Sequence, residues 1–136
     1  MKSTVFITST KEDRRYRDKV MKWGTTGKLG PKTNVMTLED PRFRFPDGSL
    51  NRDMLAWALK ECNLVVIIVG NNNQNHPWLD WEGPFCHQWG IKRIVLKIPY
   101  TEGRLPEALR LLREVACNPN AVEKELRPAE TNDLYY

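Results

Sequence analysis

Leu64-Val65-Val66-Ile67-Ile68-Val69-Gly70 decides the fold: six apolar residues, five of them β-branched, with no polar interruption, stopped by a glycine. A strand with one wet face alternates apolar and polar residues. An unbroken run this short suits a strand covered on both faces. Downstream lies a polar loop, Asn71-Asn72-Asn73-Gln74-Asn75, and then His76-Pro77-Trp78-Leu79-Asp80-Trp81-Glu82-Gly83-Pro84. This second stretch predicts a helix from about Asp80 to Trp89, with Pro84 in the first turn, where its missing N–H is tolerated, and Gly90 ending it. Two indoles thus bracket a carboxylate just beyond the carboxyl end of a buried strand.

The flanking segments repeat the pattern of strand and helix. Thr4-Val5-Phe6-Ile7-Thr8 reads as a first strand, and Ser9 to Asp13 as a polar turn with capping residues. Arg14 to Trp23 places Tyr16, Val20 and Trp23 on one helical stripe, and Gly24, Gly27, Gly30 and Pro31 break it. Asn34 to Leu38 is a second strand. The loop Glu39 to Ser49 alternates cations and aromatics at Arg42, Phe43, Arg44 and Phe45. Ser49 or Asn51 then caps a helix to about Glu61, with Met54, Leu55, Ala58 and Leu59 as its apolar stripe. Ile91 to Ile98 is a fourth strand. Pro106 opens a helix predicted to reach Ala116, with Leu109, Leu112 and Val115 inward. Residues 119–136 form a C-terminal edge element, strand or helix, or a tail with disordered last residues.

Such alternation implies right-handed βαβ crossovers. The expected architecture is a single α/β domain over residues 1–118, flavodoxin-like and three-layered, with a central parallel sheet of four or five strands. Ligands bind such folds beyond the carboxyl ends of the strands. Thr8, Ser9 and Thr10, the loop bearing Arg42 and Phe45, Asn72, and Trp78 to Glu82 all follow strands at that edge.

Composition narrows the class. The chain has 136 residues, 40% hydrophobic and 28% charged, with a formal charge of +4 and a pI near 9.0, as expected of a globular domain. Its cations are interleaved with acids, which fits a solvated surface better than a nucleic-acid footprint, and suits an anionic small molecule. Cys62, Cys86 and Cys117 are odd in number and widely spaced, so reduced thiols and a cytoplasmic location are expected. They match no zinc spacing with His76 and His87, so no metal site is expected. No apolar run is long enough to span a bilayer, and the first strand begins too early for a signal peptide.

The residues just beyond the strands exclude several chemistries. Thr8-Ser9-Thr10-Lys11-Glu12-Asp13 lacks the glycines of a dinucleotide fingerprint, and there is no P-loop. Gly70-Asn71 stands where a phosphorylatable aspartate would succeed the third strand. A carboxylate enzyme acting on a nucleotide-like ligand remains. Breaking an N-glycosidic bond develops an oxocarbenium-like cation, which one ionised carboxylate, Glu82, can stabilise or attack. Aromatic walls from Trp78, Trp81 and Phe45 would stack on the ligand and exclude water. Each feature also has a plainer reading. Acids at a helix start are favoured by the dipole at about 0.3–1 kcal/mol each. Trp78 and Trp81 equally suit a core or a partner surface, Arg42 and Arg44 a solvated loop, Asn71 to Asn75 a simple turn, and His76 and His87 structural or surface roles.

With Val5-Phe6-Ile7-Thr8-Ser9, Cys62 to Gly70 and Trp78-Leu79-Asp80-Trp81-Glu82 in view, the chain resembles the Toll/interleukin-1 receptor (TIR) superfamily over residues 4–116. Within it, the resemblance is specifically to short bacterial TIR-like proteins related to the TIR component of Thoeris antiphage defence. The resemblance implies NAD+ as substrate, no separate cofactor, and Glu82 as the residue essential for releasing nicotinamide. It implies an ADP-ribose-type product, free, cyclised or joined to another group, some such products being immune signals read by an effector. Ser9 and Thr10 would line the nucleotide pocket, and Glu39 to Ser49 would be the gating BB loop. A homo-oligomer or TIR–TIR assembly is implied, with neither nucleic acid nor membrane as partner. Two other functions stay open: a nucleoside deoxyribosyltransferase-like enzyme, with a related fold and a Glu nucleophile, and a noncatalytic TIR-like interaction module. Gly83-Pro84, directly after Glu82, departs from ordinary helix-opening chemistry.

Overall fold

A computed structural model of the chain describes residues 3–73, 76, 82–105 and 107–126. Five strands, β1 (Ser3–Thr8), β2 (Thr33–Thr37), β3 (Leu64–Val69), β4 (Arg93–Lys97) and β5 (Arg113–Val115), form one sheet in the order β2-β1-β3-β4-β5. Every neighbouring pair is parallel, with Val5 opposite Leu64 and Val65 opposite Arg93. The chain winds outward from β1 in one direction and then from β3 in the other. This is the doubly wound order of flavodoxin-like domains, and it puts the topological switch between β1 and β3.

All six residues of β3 are buried, and the two-residue period of a strand divides them between two cores. Val65, Ile67 and Val69 join Phe6 and Val95 on the face covered by α2 (Arg52–Glu61), α3 (Glu82–Gln88) and α4 (Glu107–Arg110), against Leu55, Leu59, Cys86 and Leu109. Leu64, Val66 and Ile68 join Val5, Ile7, Ile94 and Leu96 on the other face. There α1 (Arg14–Thr25) contributes Val20 and Trp23, and α5 (Pro119–Leu126) contributes Val122. Burying each such Val, Ile or Leu stabilises the fold by roughly 1.5–3 kcal/mol before conformational entropy is counted.

Local signals explain the helix ends. Asn51 caps α2 by accepting from the Met54 amide at 3.3 Å, which contributes about 1 kcal/mol. Asp13 precedes α1 but does not cap it; its carboxylate instead accepts from the Thr10 hydroxyl at 3.1 Å. Gly24 was expected to break α1, yet it lies within it. A Cβ at that position would stand 2.0 Å from Val35 Cγ2, so the absence of a side chain lets the helix settle closely on β2.

The largest correction concerns residues 106–116, expected as one helix. Only Glu107–Arg110 is helical; the Leu112 amide bonds to the Leu109 carbonyl at 3.2 Å, and the chain then extends into β5. Ile94 pairs with Arg113 and Leu96 with Val115, so ladder hydrogen bonds to β4 replace helical ones. Among the described residues no helix is long and apolar enough to cross a membrane.

Candidate functional site

The carboxyl ends of β1 and β2 open onto a cleft of about 450 Å³. Its floor is Ile7, Thr8, Ser9 and Thr10 from the end of β1 and the turn after it, with Leu38 beyond β2. Around them stand Lys11, Arg14, Arg17, Glu39 and Arg44. Thr8 is 2% exposed, and its hydroxyl oxygen is the one buried side-chain polar atom among the described residues without a hydrogen-bond partner. An orphaned buried hydroxyl costs about 1–3 kcal/mol, so its placement in a cleft wall is a cue to a ligand. Thr10 is committed to Asp13, and the Ser9 hydroxyl donates to the Thr10 carbonyl at 3.1 Å.

The cations around the cleft are unequally engaged. Arg17 forms ion pairs with Asp18 and with Glu39, tying α1 to the loop after β2. Arg44 reaches the Gly48 carbonyl at 3.4 Å. No acidic residue occupies the first turn of α1, which begins Arg14-Arg15 at the positive end of the helix dipole.

At the switch point between β1 and β3 the Asp13 carboxylate rests on the backbone of Gly70. A Cβ on Gly70 would meet Asp13 Oδ1 at 2.6 Å and Oδ2 at 2.7 Å. Burial raises the pKa of Asp13, and the neighbouring Glu12 adds to this, against the hydrogen bond from Thr10. The loop after β4 closes over the same spot, with Gly103 packed on Gly70 and Asn71. The Glu102 amide donates to Asn71 Oδ1 at 2.8 Å. Asn73, 1% exposed, accepts from the Gly70 amide and donates to its carbonyl, both at 2.9 Å. Two asparagines of the expected amide series are therefore braces of the edge.

The predicted site residues fall into three groups. Thr8, Ser9 and Thr10 meet in the cleft. Arg42, Phe45 and Asn72 do not line it. Arg42 is held by Asp40, with Nε at 3.1 Å and a terminal nitrogen at 2.7 Å, and this hydrogen bonding lowers the Asp40 pKa. Phe45 is 48% exposed on its loop, and Asn72 is exposed between the two bracing asparagines. Trp78 and Trp81 lie outside the described residues. Glu82 is the first residue of α3, whose amino end follows β3 and so belongs to the carboxyl edge of the sheet. Sequence reasoning missed Lys11, Arg14 and Arg17; it offers Arg44 only beside Arg42, as a loop cation for a ligand phosphate or for solvent, and Arg44 is the one that lines the cleft. The signal for Arg14 and Arg17 was their spacing at i and i+3, one face of a helix opening directly after the first strand.

His76 is a structural residue here. It is 2% exposed, and its Nε2–H donates to the Ile68 carbonyl at 2.8 Å. Burial lowers its pKa below the ordinary imidazole value. The unfolded chain therefore takes up this proton near pH 6.5 while the folded one does not. Stability is full above that value and falls as pH drops toward the depressed folded pKa. Urea midpoints should be lower at about pH 5.5 than at about pH 7.5, and His76→Gln should flatten that slope. Equal slopes in the two proteins would remove His76 from the acid sensitivity.

Fold and cleft together define the class: a doubly wound, all-parallel α/β domain with a cation-rimmed cleft at the carboxyl edge of its sheet. No family model matches the sequence, and no curated protein matches it. Among solved structures, the chain is similar to the TIR domain of the Toll-related receptor TRR-2 from Hydra magnipapillata. The identity is 16%, with 81% of this chain and 82% of that chain covered and a TM-score of 0.47. The fold assignment rests on the strand order and register of the chain itself.

Proposed function

We propose that this domain is a TIR-type enzyme that consumes NAD+, cleaving the bond between nicotinamide and ribose. The observation that carries the reading is the cleft at the ends of β1 and β2, where a shielded Thr8 hydroxyl and a cationic rim suit a phosphate-bearing nucleotide. The position of Glu82 at the opening of α3, on the same edge of the sheet, agrees with it. In this mechanism the C1′–N bond breaks with its electron pair going to the pyridine nitrogen. Nicotinamide leaves neutral, so no general acid is required. The Glu82 carboxylate stabilises the ribosyl cation. Water then adds to C1′ and loses a proton to give ADP-ribose; capture by a nucleophile of the ligand itself gives a cyclic product instead. The proposal extends, on the sequence resemblance alone, to a signalling role for the product in antiphage immunity, with an effector that responds to it and activity that requires TIR–TIR assembly.

Mass spectrometry of NAD+ incubated with the protein at rising concentration tests this, with nicotinamide expected in equal amount to the ADP-ribose product. Base exchange on deoxynucleosides without nicotinamide release would establish the deoxyribosyltransferase reading instead. One observation favours a noncatalytic interaction module: Trp57 and Trp89 are 63% and 53% exposed on α2 and just beyond α3. Such surface aromatics suit a partner interface. That module predicts no turnover of either substrate at any protein concentration, and association disrupted by substitution of Arg42 or Trp57; Phe43, an expected contact of the same loop, is 1% exposed and belongs to the core.

A further inference from the structure

The rim carries more positive charge than NAD+ needs. Four cations, Lys11, Arg14, Arg17 and Arg44, stand there against one acid, Glu39. Arg17 is consumed by its pairs with Asp18 and Glu39. Among the described residues Lys11, Arg14 and Arg44 make no ion pair, which leaves three uncompensated cations. The diphosphate of NAD+ offers two negative charges, and its pyridinium takes one back. Arg14-Arg15 also open α1 where the dipole disfavours cations, and an anion bound at that end would reverse the penalty. Local disagreement of this kind is characteristic of functional sites. The buried Thr8 hydroxyl supplies a neutral partner in the same cleft.

We infer that the cleft selects a dinucleotide bearing a third phosphate, the 2′-phosphorylated form NADP+, over NAD+. The inference rests on the proposed nucleotide site and specifies its substrate. A phosphate monoester adds about −1.5 to −2 charges at neutral pH. Arginine meets it with paired, charge-assisted hydrogen bonds. Arg14, from the start of α1, and Arg44, from the loop after β2, are the specificity-determining residues.

Calorimetric titration of the Glu82→Gln protein, which under this mechanism turns the ligand over at least about 10²–10³-fold more slowly, provides the test. At low ionic strength NADP+ should bind about tenfold tighter than NAD+ or better, and added salt should narrow the gap. Arg14→Gln or Arg44→Gln should remove most of the advantage. If Glu82→Gln fails to fold, the ratio of kcat/KM for the two dinucleotides on wild-type protein reads the same preference. Equal affinities would overturn the inference while leaving the NAD+ chemistry intact. Binding of neither dinucleotide would overturn both. A preference that survives both arginine substitutions would overturn the assignment to this rim.

Discussion

Glu82→Gln should fold as the wild type does and release nicotinamide at least 10²–10³-fold more slowly, roughly the loss seen when one preorganised charge partner is removed from a transition state. The amide keeps the shape of the carboxylate but not its charge, and the charge is what the ribosyl cation requires. Because that cation exists only transiently, the loss should appear in kcat, with KM nearly unchanged. The dipole contribution of one acid at the opening of α3 is about 0.3–1 kcal/mol. Circular dichroism and thermal unfolding therefore separate a chemical defect from a folding one. A Glu82→Gln protein with full nicotinamide release would eliminate the carboxylate mechanism.

Gly103→Ala should be the most damaging small substitution in the described structure. The new Cβ would lie 2.0 Å from the Gly70 carbonyl oxygen and 2.5 and 2.6 Å from Asn71 Cα and C. All three are backbone atoms, so no rotamer change relieves the overlap, and one of the two loops must move. The Glu102 amide would then lose Asn71, and Asn73 would lose its second acceptor, the Arg104 carbonyl at 3.4 Å. Overpacking of this kind costs about 2–3 kcal/mol, which corresponds to a drop in Tm of about 10 °C for a domain of this size. Urea unfolding measures it directly. The displaced loop leads from β3 toward Glu82, so turnover should fall alongside stability. A variant as stable as the wild type would show that the two loops are not in rigid contact.

Most of the fold was legible because its determinants are local or are runs too apolar to misread. Leu64 to Val69 came out with the bounds its composition implied, and Asn51 capped α2. The helix expected to run on to Ala116 stops at Arg110; Leu109, Leu112 and Val115 recur at helical spacing, and three positions are too few to exclude a turn followed by a strand. The deciding interaction is the ladder to Ile94 and Leu96, almost twenty residues upstream and invisible to a local pattern. The cleft was half legible. Thr8, Ser9 and Thr10 follow from topology alone. Which loop arginine faces the cleft does not, since Arg42 and Arg44 look alike in an alternating cation–aromatic loop. Asp40 decides it by holding the Arg42 guanidinium. Arg14 and Arg17 look in the sequence like any cations of a solvated surface, because only the folded chain shows that α1 begins beside the loop after β2.

The sheet order also governs how the chain reaches this structure. Thr4 donates its amide to Asn63 across 59 residues, and β1 finds its central neighbour only at that separation. Until Leu64 to Val69 has been synthesised, Val5, Phe6 and Ile7, each fully buried in the finished molecule, have β2 as their sole available strand partner. Closing a loop of that length is the entropic cost of pairing β1 with β3, and topologies dominated by such distant pairings fold slowly. A growing chain must therefore shelter β1 until β3, 59 residues on from Thr4 to Asn63, has been made, and that interval is when it is most exposed to aggregation.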